Sequence, residues 1–301
     1  MKKIRKLSAT VLVMLTAALH SYAQSEFTNG LVAYYPFNGN ANDASGNGNN
    51  GTPSNASLVT DRFGTTNGAY QFNGNGDQGY IEVQNSTALA ITNVTATAWV
   101  YITNSGGYYI LKKGYYLVPG AFHLGGDESS VGSLIKLEGG PAINCSATDA
   151  ALTVGAWTHV AAVFDGQKSE IYVNGQLKAS VPAIGQMEVN SYPLYIGADY
   201  NSPGGYFNGR IDDVRIYSRA LSGTELQRLY AIESTRPHTR VAKAVRLDHE
   251  FLRPGFDYQL QVSQDLNTWT NLGPPFSASA PTNSQYLDVG DWNAFYRLTV
   301  P

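Results

Sequence analysis

Oxygen-bearing side chains are concentrated in one loop near the start of the chain, and this composition suits a hard cation. Ca²⁺ binds six to eight oxygens, including carbonyls that flexible glycine-rich loops can turn inward. The loop also contains Gly39, Gly46 and Gly48. It has no glycine at the sixth position counted from Asn38, so it is not an EF-hand, and an Asn/Gly turn is the alternative interpretation. The oxygen-bearing residues are Asn38, Asn40, Asn42, Asp43, Ser45 and Asn47.

A second acidic residue lies where a strand pattern would bury it. Val214 and Ile216 share a face with Asp212, whereas Asp213 and Arg215 take the opposite face. An acid on an apolar face costs free energy unless it is paired or bound to a metal. The pattern therefore predicts that Asp212 binds a metal or, as the alternative, forms a salt bridge or accepts hydrogen bonds from loop amides.

The usual signatures of enzymatic chemistry are missing from the sequence. The G-x-G-x-x-G patterns at 46–51 and 74–79 are not followed by a helical pattern, so turns explain them better than nucleotide binding. No G-x-S-x-G elbow exists, and His249 lacks the second histidine of a zinc protease. Asp212 and Asp213 are adjacent, and adjacent acids point to opposite faces of a regular strand. We predict a non-catalytic protein, with an acid pair assembled from distant strands as the alternative.

Tyrosines near glycine-rich turns are the candidates for contact with a ligand. A tyrosine offers an apolar ring and a polar hydroxyl, which together suit the faces and hydroxyls of sugars. Core or rim packing is the alternative role for each of them, and Trp99 and Trp157 are expected to be scaffold residues. The candidate tyrosines are Tyr108, Tyr109, Tyr115, Tyr116, Tyr200 and Tyr206.

The elements that must position these residues are short strands. Runs with period-two alternation are separated by turn dipeptides such as Asn73-Gly74 and Asn174-Gly175, a pattern typical of antiparallel hairpins. One short helix is predicted from Ser222, because Glu225 follows at the capping-box spacing. We expect an all-β protein built as a two-sheet antiparallel jelly-roll sandwich. The predicted strands are 69–72, 80–83, 94–102, 158–164, 170–173, 193–196 and 213–217.

The chain of 301 residues divides into three predicted segments. Residues 1–23 form a signal peptide, with a basic start, an apolar run and small residues before the cleavage site. Residues 24–234 form the sandwich, and residues 235–301 form a linker and a small C-terminal β domain.

Removing the signal peptide takes away four cations and no acids, so the formal charge falls from −3 to −7. That charge argues against a nucleic-acid partner, and the apolar run is too short for a membrane span. Cys145 is the single cysteine, so no internal disulfide exists.

Several of these segments resemble one family. The opening 30–48, the motifs Asp61-Arg-Phe-Gly and Trp157-Thr-His-Val, and the stretch 210–222 are similar to laminin-G-like jelly-roll domains of the concanavalin A-like lectin/glucanase superfamily. The resemblance implies a sandwich of two antiparallel sheets and a structural calcium ion. It places Asp43 and Asp212 as carboxylate ligands, with carbonyls near Asn47 completing the shell. The compact acidic strand of the glucanase branch is missing, so its catalytic residues are not carried over.

Together these observations favour a secreted, extracellular or cell-surface module that binds a carbohydrate or a cell-surface polymer and holds a structural Ca²⁺. A protein-binding adhesion or matrix module is the alternative. A glycan hydrolase or lyase on the same fold is a further alternative.

Overall fold

The computed structural model describes residues 27–104, 108–114, 121–127, 129–235, 244–250, 252–263, 265–272, 274–280, 282–288 and 295–300. The predicted signal peptide, Tyr115 and Tyr116 lie outside these ranges. The chain divides into two compact units, Met1–Arg236 and Pro237–Pro301. This division lies two residues beyond position 235, where the sequence places the start of the linker.

The described part of the first unit consists of short strands, a 3-10 turn (Thr87–Leu89) and one α-helix, α1 (Gly223–Glu233). All seven strand patterns predicted above coincide with observed strands. The strands are β1 (Leu31–Tyr35), β2 (Gly51–Ser54), β3 (Ser57–Val59), β4 (Ala69–Asn73), β5 (Tyr80–Val83), β6 (Val94–Ile102), β7 (Tyr108–Lys113), β8 (Phe122–Gly126), β9 (Val131–Lys136), β10 (Ala142–Ala147), β11 (Trp157–Phe164), β12 (Lys168–Val173), β13 (Gln176–Pro182), β14 (Leu194–Ile196) and β15 (Asn208–Tyr217).

Two antiparallel sheets form the first unit and enclose its main core. The eight-stranded sheet has the order β13-β12-β11-β6-β15-β4-β3, and β1 pairs with the second half of β15. The seven-stranded sheet has the order β10-β9-β8-β7-β14-β5-β2. The predicted two-sheet antiparallel sandwich is therefore confirmed. Large side chains with almost no exposed surface fill the space between the sheets, among them Phe72, Phe122, Phe164, Ile81 and Ile110.

Local sequence explains several of the turns and close approaches. β12 and β13 are joined at Asn174 and Gly175, which both adopt positive φ, as the predicted hairpin turn requires. Gly209 lets β15 pass close to β6, because a Cβ at this position would overlap the carbonyl oxygen of Tyr101.

Helix α1 packs on the outer face of the eight-stranded sheet. It begins with the predicted capping box: the Ser222 hydroxyl accepts from the Glu225 amide, and the Glu225 carboxylate accepts from the Ser222 amide. Leu226 and Leu229 are buried against residues of β11, β12 and β15, including Tyr172. The helix thus covers apolar surface that the sheet would otherwise expose.

The regular secondary structure described in the second unit is all β, and the apolar cluster of this unit is small. Leu252, Tyr258 and Ala278 form that cluster. β16 pairs with β20, and β17 pairs with β18, β19 and β21. These strands are β16 (Ala244–His249), β17 (Asp257–Ser263), β18 (Thr270–Asn271), β19 (Phe276–Ser277), β20 (Asn283–Asp288) and β21 (Phe295–Thr299). No helix in the described ranges is long and apolar enough to cross a membrane.

Candidate ligand-binding groove

The seven-stranded sheet presents a row of side chains on the face that points away from the core. Cross-strand pairing places these residues directly opposite one another on successive strands. Their neighbours along the strands, such as Ile81 and Leu124, point into the core, so the row faces outward. The row consists of Glu82 on β5, Tyr195 on β14, Lys112 on β7, His123 on β8, Leu134 on β9 and Asn144 on β10.

A groove of about 420 Å³ opens beside this row, over β7 to β10. Gly125 and Gly132 face each other across β8 and β9, and Tyr109 pairs with Gly125 from β7. Glycine carries no side chain, so the surface is recessed at this point. Tyr109 and His123 line the groove on one side, and Asn144 lines it on another.

Tyr109 and His123 form the aromatic part of the groove. Their ring centroids lie 5.0 Å apart in an edge-to-face arrangement, and both side chains are partly exposed. Burial lowers the pKa of His123 to about 4, and the nearby charge of Lys112 lowers it as well. The imidazole is therefore neutral at pH 7, with one nitrogen able to donate a hydrogen bond and the other able to accept one.

Lys112 and Asp199 form a buried ion pair behind these rings. The Lys112 Nζ lies 2.8 Å from a carboxylate oxygen of Asp199, and each side chain is less than a tenth exposed. The same ammonium lies 5.3 Å from the centre of the Tyr109 ring. The pair thus joins β7 to the loop after β14 and leaves the charge of Lys112 neutralised inside the protein.

A second group of aromatic rings lies next to the ion pair, over β5 and β14. The rings of Tyr195 and Tyr200 stack with their centroids 4.9 Å apart, and Tyr80 meets the ring of Tyr200 edge-on at 5.0 Å. Tyr80 and Tyr200 are partly exposed, whereas Tyr195 is buried. This cluster and the groove lie on the same face of the seven-stranded sheet.

The predicted tyrosines have different positions in the structure. Tyr109 lines the groove and Tyr200 belongs to the aromatic cluster. Tyr206 is buried, and its hydroxyl accepts a hydrogen bond from the Asn201 amide, so it has the packing role given above as the alternative. Tyr108 begins β7 opposite Gly126.

The predictions missed His123 and Asn144, which line the groove with Tyr109. Their signal in the sequence is weak, because each is a single polar residue in an alternating strand. The glycines in β8 and β9 were a better clue, since glycine inside a strand often marks a close approach of a ligand or of another backbone.

The loop predicted to bind calcium is held by hydrogen bonds within the protein. Both carboxylate oxygens of Asp43 accept from backbone amides: Oδ1 from Tyr34 and Ser45, and Oδ2 from Asn49, at 2.8 to 3.0 Å. The side-chain amide of Asn47 donates to the carbonyls of Leu31 and Val32 at 3.0 Å.

Asp212 is paired with a guanidinium, the alternative to a metal contact that the sequence left open. Arg62 Nη1 lies 2.5 Å from Asp212, and Nη2 of the same side chain lies 2.7 Å from Asp213. Burial and the charge of Asp213 raise the pKa of Asp212 above its ordinary value, and Arg62 opposes that rise.

The expectation that Asp212 and Asp213 point to opposite faces is wrong. Asp213 has φ of +45°, and the pairing of β15 with β6 shifts register between Asp212 and Arg215. This β-bulge adds one residue to β15, so both carboxylates reach the same guanidinium.

The predicted calcium ligands, as the structure positions them, do not fit an ion bridging Asp43 and Asp212. Amide hydrogens point at both oxygens of Asp43, and Asp212 is already bound by a cationic side chain. In the described ranges, no group of three or more His, Cys, Asp and Glu side chains is arranged to hold a metal. Calcium binding stays a prediction from the sequence.

Glu233, at the end of α1, is buried and belongs to the same hydrogen-bond network as Arg62, Asp212 and Asp213. Its carboxylate accepts from Arg215 Nε at 2.6 Å and from Trp99 Nε1 at 3.0 Å, and its backbone carbonyl accepts from Arg62. His159 lies 3.7 Å from the same carboxylate and is fully buried, and its pKa falls to about 3, chiefly because of burial. Trp99 is a buried scaffold residue, as predicted, and His159 packs against its ring without a hydrogen bond to either imidazole nitrogen. Cys145 is a buried free thiol.

A family model for laminin-G domains, described as the concanavalin A-like lectin/glucanases superfamily, matches residues 73–227, just over half of the chain. The chain belongs to this superfamily. The predicted family is therefore confirmed, and the two stacked sheets are the concanavalin A-like sandwich that it implied.

Solved structures with a similar fold include other concanavalin A-like sandwiches. The binding domain of Paraclostridial Mosquitocidal Protein 1 is 15% identical with a TM-score of 0.58, and the alignment covers 79% of this chain and 62% of that one. The botulinum neurotoxin serotype D binding domain is 16% identical with a TM-score of 0.55, covering 83% and 63%. The serotype G binding domain is 18% identical with a TM-score of 0.54, covering 76% and 56%. This chain thus spans less than two thirds of each structure, and at these identities the similarity is one of fold. No curated protein is significantly similar in sequence.

Proposed function

We propose that this concanavalin A-like protein is a secreted, non-catalytic module that binds a carbohydrate or a cell-surface polymer through the groove on its seven-stranded sheet. The observation that carries the proposal is the grouping of Tyr109, His123 and Asn144 around a recess floored by Gly125 and Gly132. The names of the structures with a similar fold, which describe binding domains, are consistent with it.

The chemistry of the groove suits a sugar ring. The partly exposed ring of Tyr109 offers an apolar face, and the edge contact with His123 fixes its orientation. The neutral imidazole and the exposed amide of Asn144 can donate to and accept from hydroxyl groups. Small-molecule sites commonly combine apolar walls with a few polar groups in this way.

Two described carboxylates near the groove argue for binding rather than hydrolysis. Asp199 is buried and paired with Lys112. Asp127 lines the groove, and its Oδ1 accepts from the amides of Ser129 and Ser130, which fixes the turn between β8 and β9. A glycosidase needs one carboxyl group as an acid and a second as a base or nucleophile, both free to face the scissile bond.

The basic and apolar start of the sequence supports export, and the formal charge of −7 after its removal supports a partner other than nucleic acid. Calcium is not needed for this proposal, since the groove consists of protein groups alone. A calcium ion would act elsewhere, by stabilising the fold.

The experiment uses the mature chain, residues 24–301, on a glycan array, followed by calorimetry with the best ligand. Tyr109→Ala should lower the affinity at least tenfold, because it removes the main stacking surface. Tyr101→Ala is the matched control: Tyr101 is a partly exposed tyrosine on the outer face of the other sheet, and its loss should leave the affinity unchanged.

Three outcomes would contradict the proposal. Equal losses in Tyr109→Ala and Tyr101→Ala would place the ligand outside the groove. Binding to purified matrix proteins and to no glycan would favour the adhesion module. Release of reducing ends from a polysaccharide would show an enzyme.

A further inference from the structure

Among the described residues that line the groove there is no lysine or arginine that an acidic ligand could use, and we infer that the groove selects uncharged glycans over acidic ones such as uronic-acid or sulfated polymers. This inference rests on the proposed function, and it concerns the class of glycan. It depends on the position and pairing of each charged residue on the outer face of the seven-stranded sheet.

Lys112 lies beside the groove, with its ammonium 5.3 Å from the centre of the Tyr109 ring, and its charge is already neutralised. Its side chain is only 7% exposed and its ammonium bonds to Asp199 at 2.8 Å. An acidic sugar would have to compete with a buried carboxylate that is held in place by the loop after β14. Breaking such a pair leaves an uncompensated buried charge, which is strongly unfavourable.

The other lysines of these strands do not line the groove. Lys136, on the same face as Leu134, keeps its charge and donates to the Gly140 carbonyl. Lys113 points to the other side of β7 and bonds to the Asn85 side chain and to the Tyr192 carbonyl. Residues 105–107 and 115–120, which flank β7 in sequence, contain no Lys, Arg or His, and residue 128 is a glutamate. These segments therefore cannot add a positive charge.

The remaining charges on this face are negative. Asp127 lines the groove and Glu82 lies in the outward row on β5, and both are partly exposed. Neither forms an ion pair with a described residue, and Glu82 instead accepts from the Gln84 side chain at 2.9 Å. A carboxylate or sulfate in the groove would therefore meet like charges, whereas a hydroxyl would meet none of this repulsion.

His123 does not add a positive charge to the groove. Its imidazole is partly buried next to the Lys112 ammonium, so protonation would place two positive charges close together. It therefore faces the groove as a neutral group that can bind hydroxyls. With Asn144 and Ser146, it offers uncharged polar contacts to a ligand.

The test compares polysaccharides that share a backbone and differ in charge. We would measure the affinity of the mature chain by its retardation in gels that contain one polysaccharide each. The pairs are highly methyl-esterified and de-esterified homogalacturonan, hydroxyethyl and carboxymethyl cellulose, and dextran and dextran sulfate. The neutral member of any pair that is bound should bind about threefold more tightly at low salt, because one ligand charge at about 5 to 6 Å from the Asp127 carboxylate costs about a factor of three in water. The difference should shrink as salt is added.

The variant Asp127→Asn removes one negative charge from the groove and keeps the oxygen that accepts from the turn amides. It should raise the affinity for the acidic member about threefold relative to that for the neutral member. Asp165→Asn is the matched control, because Asp165 accepts from the amides of Gln167 and Lys168 in the equivalent way at a turn of the other sheet. It makes the same change in net charge away from the groove and should alter neither affinity.

The outcomes separate this inference from the proposed function. Equal or tighter binding of an acidic member would overturn the charge selection and leave glycan binding intact. An equal effect of Asp127→Asn and Asp165→Asn would show that net charge, rather than the groove, decides the preference. Binding of no glycan, on these probes or on the array, would overturn the proposed function and this inference together.

Discussion

The guanidinium of Arg62 lies 2.5 Å from the carboxylate of Asp212, although the two residues are 150 positions apart in the chain. The same side chain bonds to Asp213 and to the backbone carbonyl of Glu233. One arginine therefore joins the loop after β3, the bulge in β15 and the end of α1. The positive charge of Arg62 compensates the buried Asp212 carboxylate, as a bound metal ion would.

Replacing Arg62 with methionine should destabilise the protein strongly. The variant leaves Asp212 buried without its partner, and breaking a buried pair in this way costs about 3 to 5 kcal/mol. The free energy of unfolding is measured by urea denaturation of the mature chain. Arg219→Met is the control, because Arg219 pairs with Glu225 in a more exposed position, where such a pair is worth at most about 1 kcal/mol. Equal losses would contradict the role of the buried network.

Removal of calcium should leave the melting temperature unchanged. Asp43 is satisfied by three backbone amides and Asp212 by Arg62, so the folded state does not need the ion to compensate these charges. The measurement compares thermal melts of the mature chain in excess calcium and in excess EDTA. A ligand that binds only the folded state raises its stability, so a drop of several degrees in EDTA would support the calcium site predicted from the sequence. Asp43→Asn and Asp212→Asn would then locate it.

Glu225 should make the stability depend on pH in the acid range. Its hydrogen bond with Arg219, together with those from Ser222, lowers its pKa from 4.5 to about 2. A lowered pKa in the folded state stabilises the protein above pH 4.5, and this contribution is lost as the pH falls from 4.5 through 2. Because the carboxylate is partly exposed, we expect its size to be at most about 1 kcal/mol.

Glu225→Gln tests this pH dependence without removing the helix cap, since glutamine also completes a capping box. The difference in melting temperature between the native chain and the variant should be present near neutral pH and vanish towards pH 2. A difference that is constant over this range would contradict the assignment.

His123 should titrate far below an ordinary histidine. Burial, followed by the charge of Lys112, lowers its pKa from 6.5 to about 4. The neutral form is therefore favoured by the folded state, and this stabilisation is present above pH 6.5 and lost as the pH falls through 4. NMR of the imidazole resonances should give a midpoint near 4, and the affinity for a neutral glycan should stay constant between about pH 5.5 and 8. A midpoint at or above 6.5 would contradict the partly buried, neutral histidine.

The fold was largely predictable because its signals are local. Period-two alternation identified the strands of the sandwich, the Asn174-Gly175 dipeptide identified a hairpin, and Ser222 with Glu225 identified the start of α1. Each signal lies within a few neighbouring residues, where backbone sterics and hydrogen bonds act directly.

The candidate site was only partly predictable. Tyr109 was found because it is an aromatic residue close to glycines, but Tyr206 has the same sequence context and is buried. Whether a tyrosine faces solvent depends on which loops and strands lie over it. Sequence spacing along one strand does not contain that information.

By itself, the sequence determined an all-β sandwich of the concanavalin A-like class, a short capped helix and an acidic chain after removal of the predicted signal peptide. The tertiary structure alone decided that Arg62, rather than another group, pairs with Asp212 and Asp213, and that Lys112 is neutralised by Asp199. Strand alternation is a short-range property of the backbone. Charge pairing depends on contacts between residues far apart in the chain and on a one-residue bulge at Asp213, which reverses the direction that regular alternation gives to a side chain.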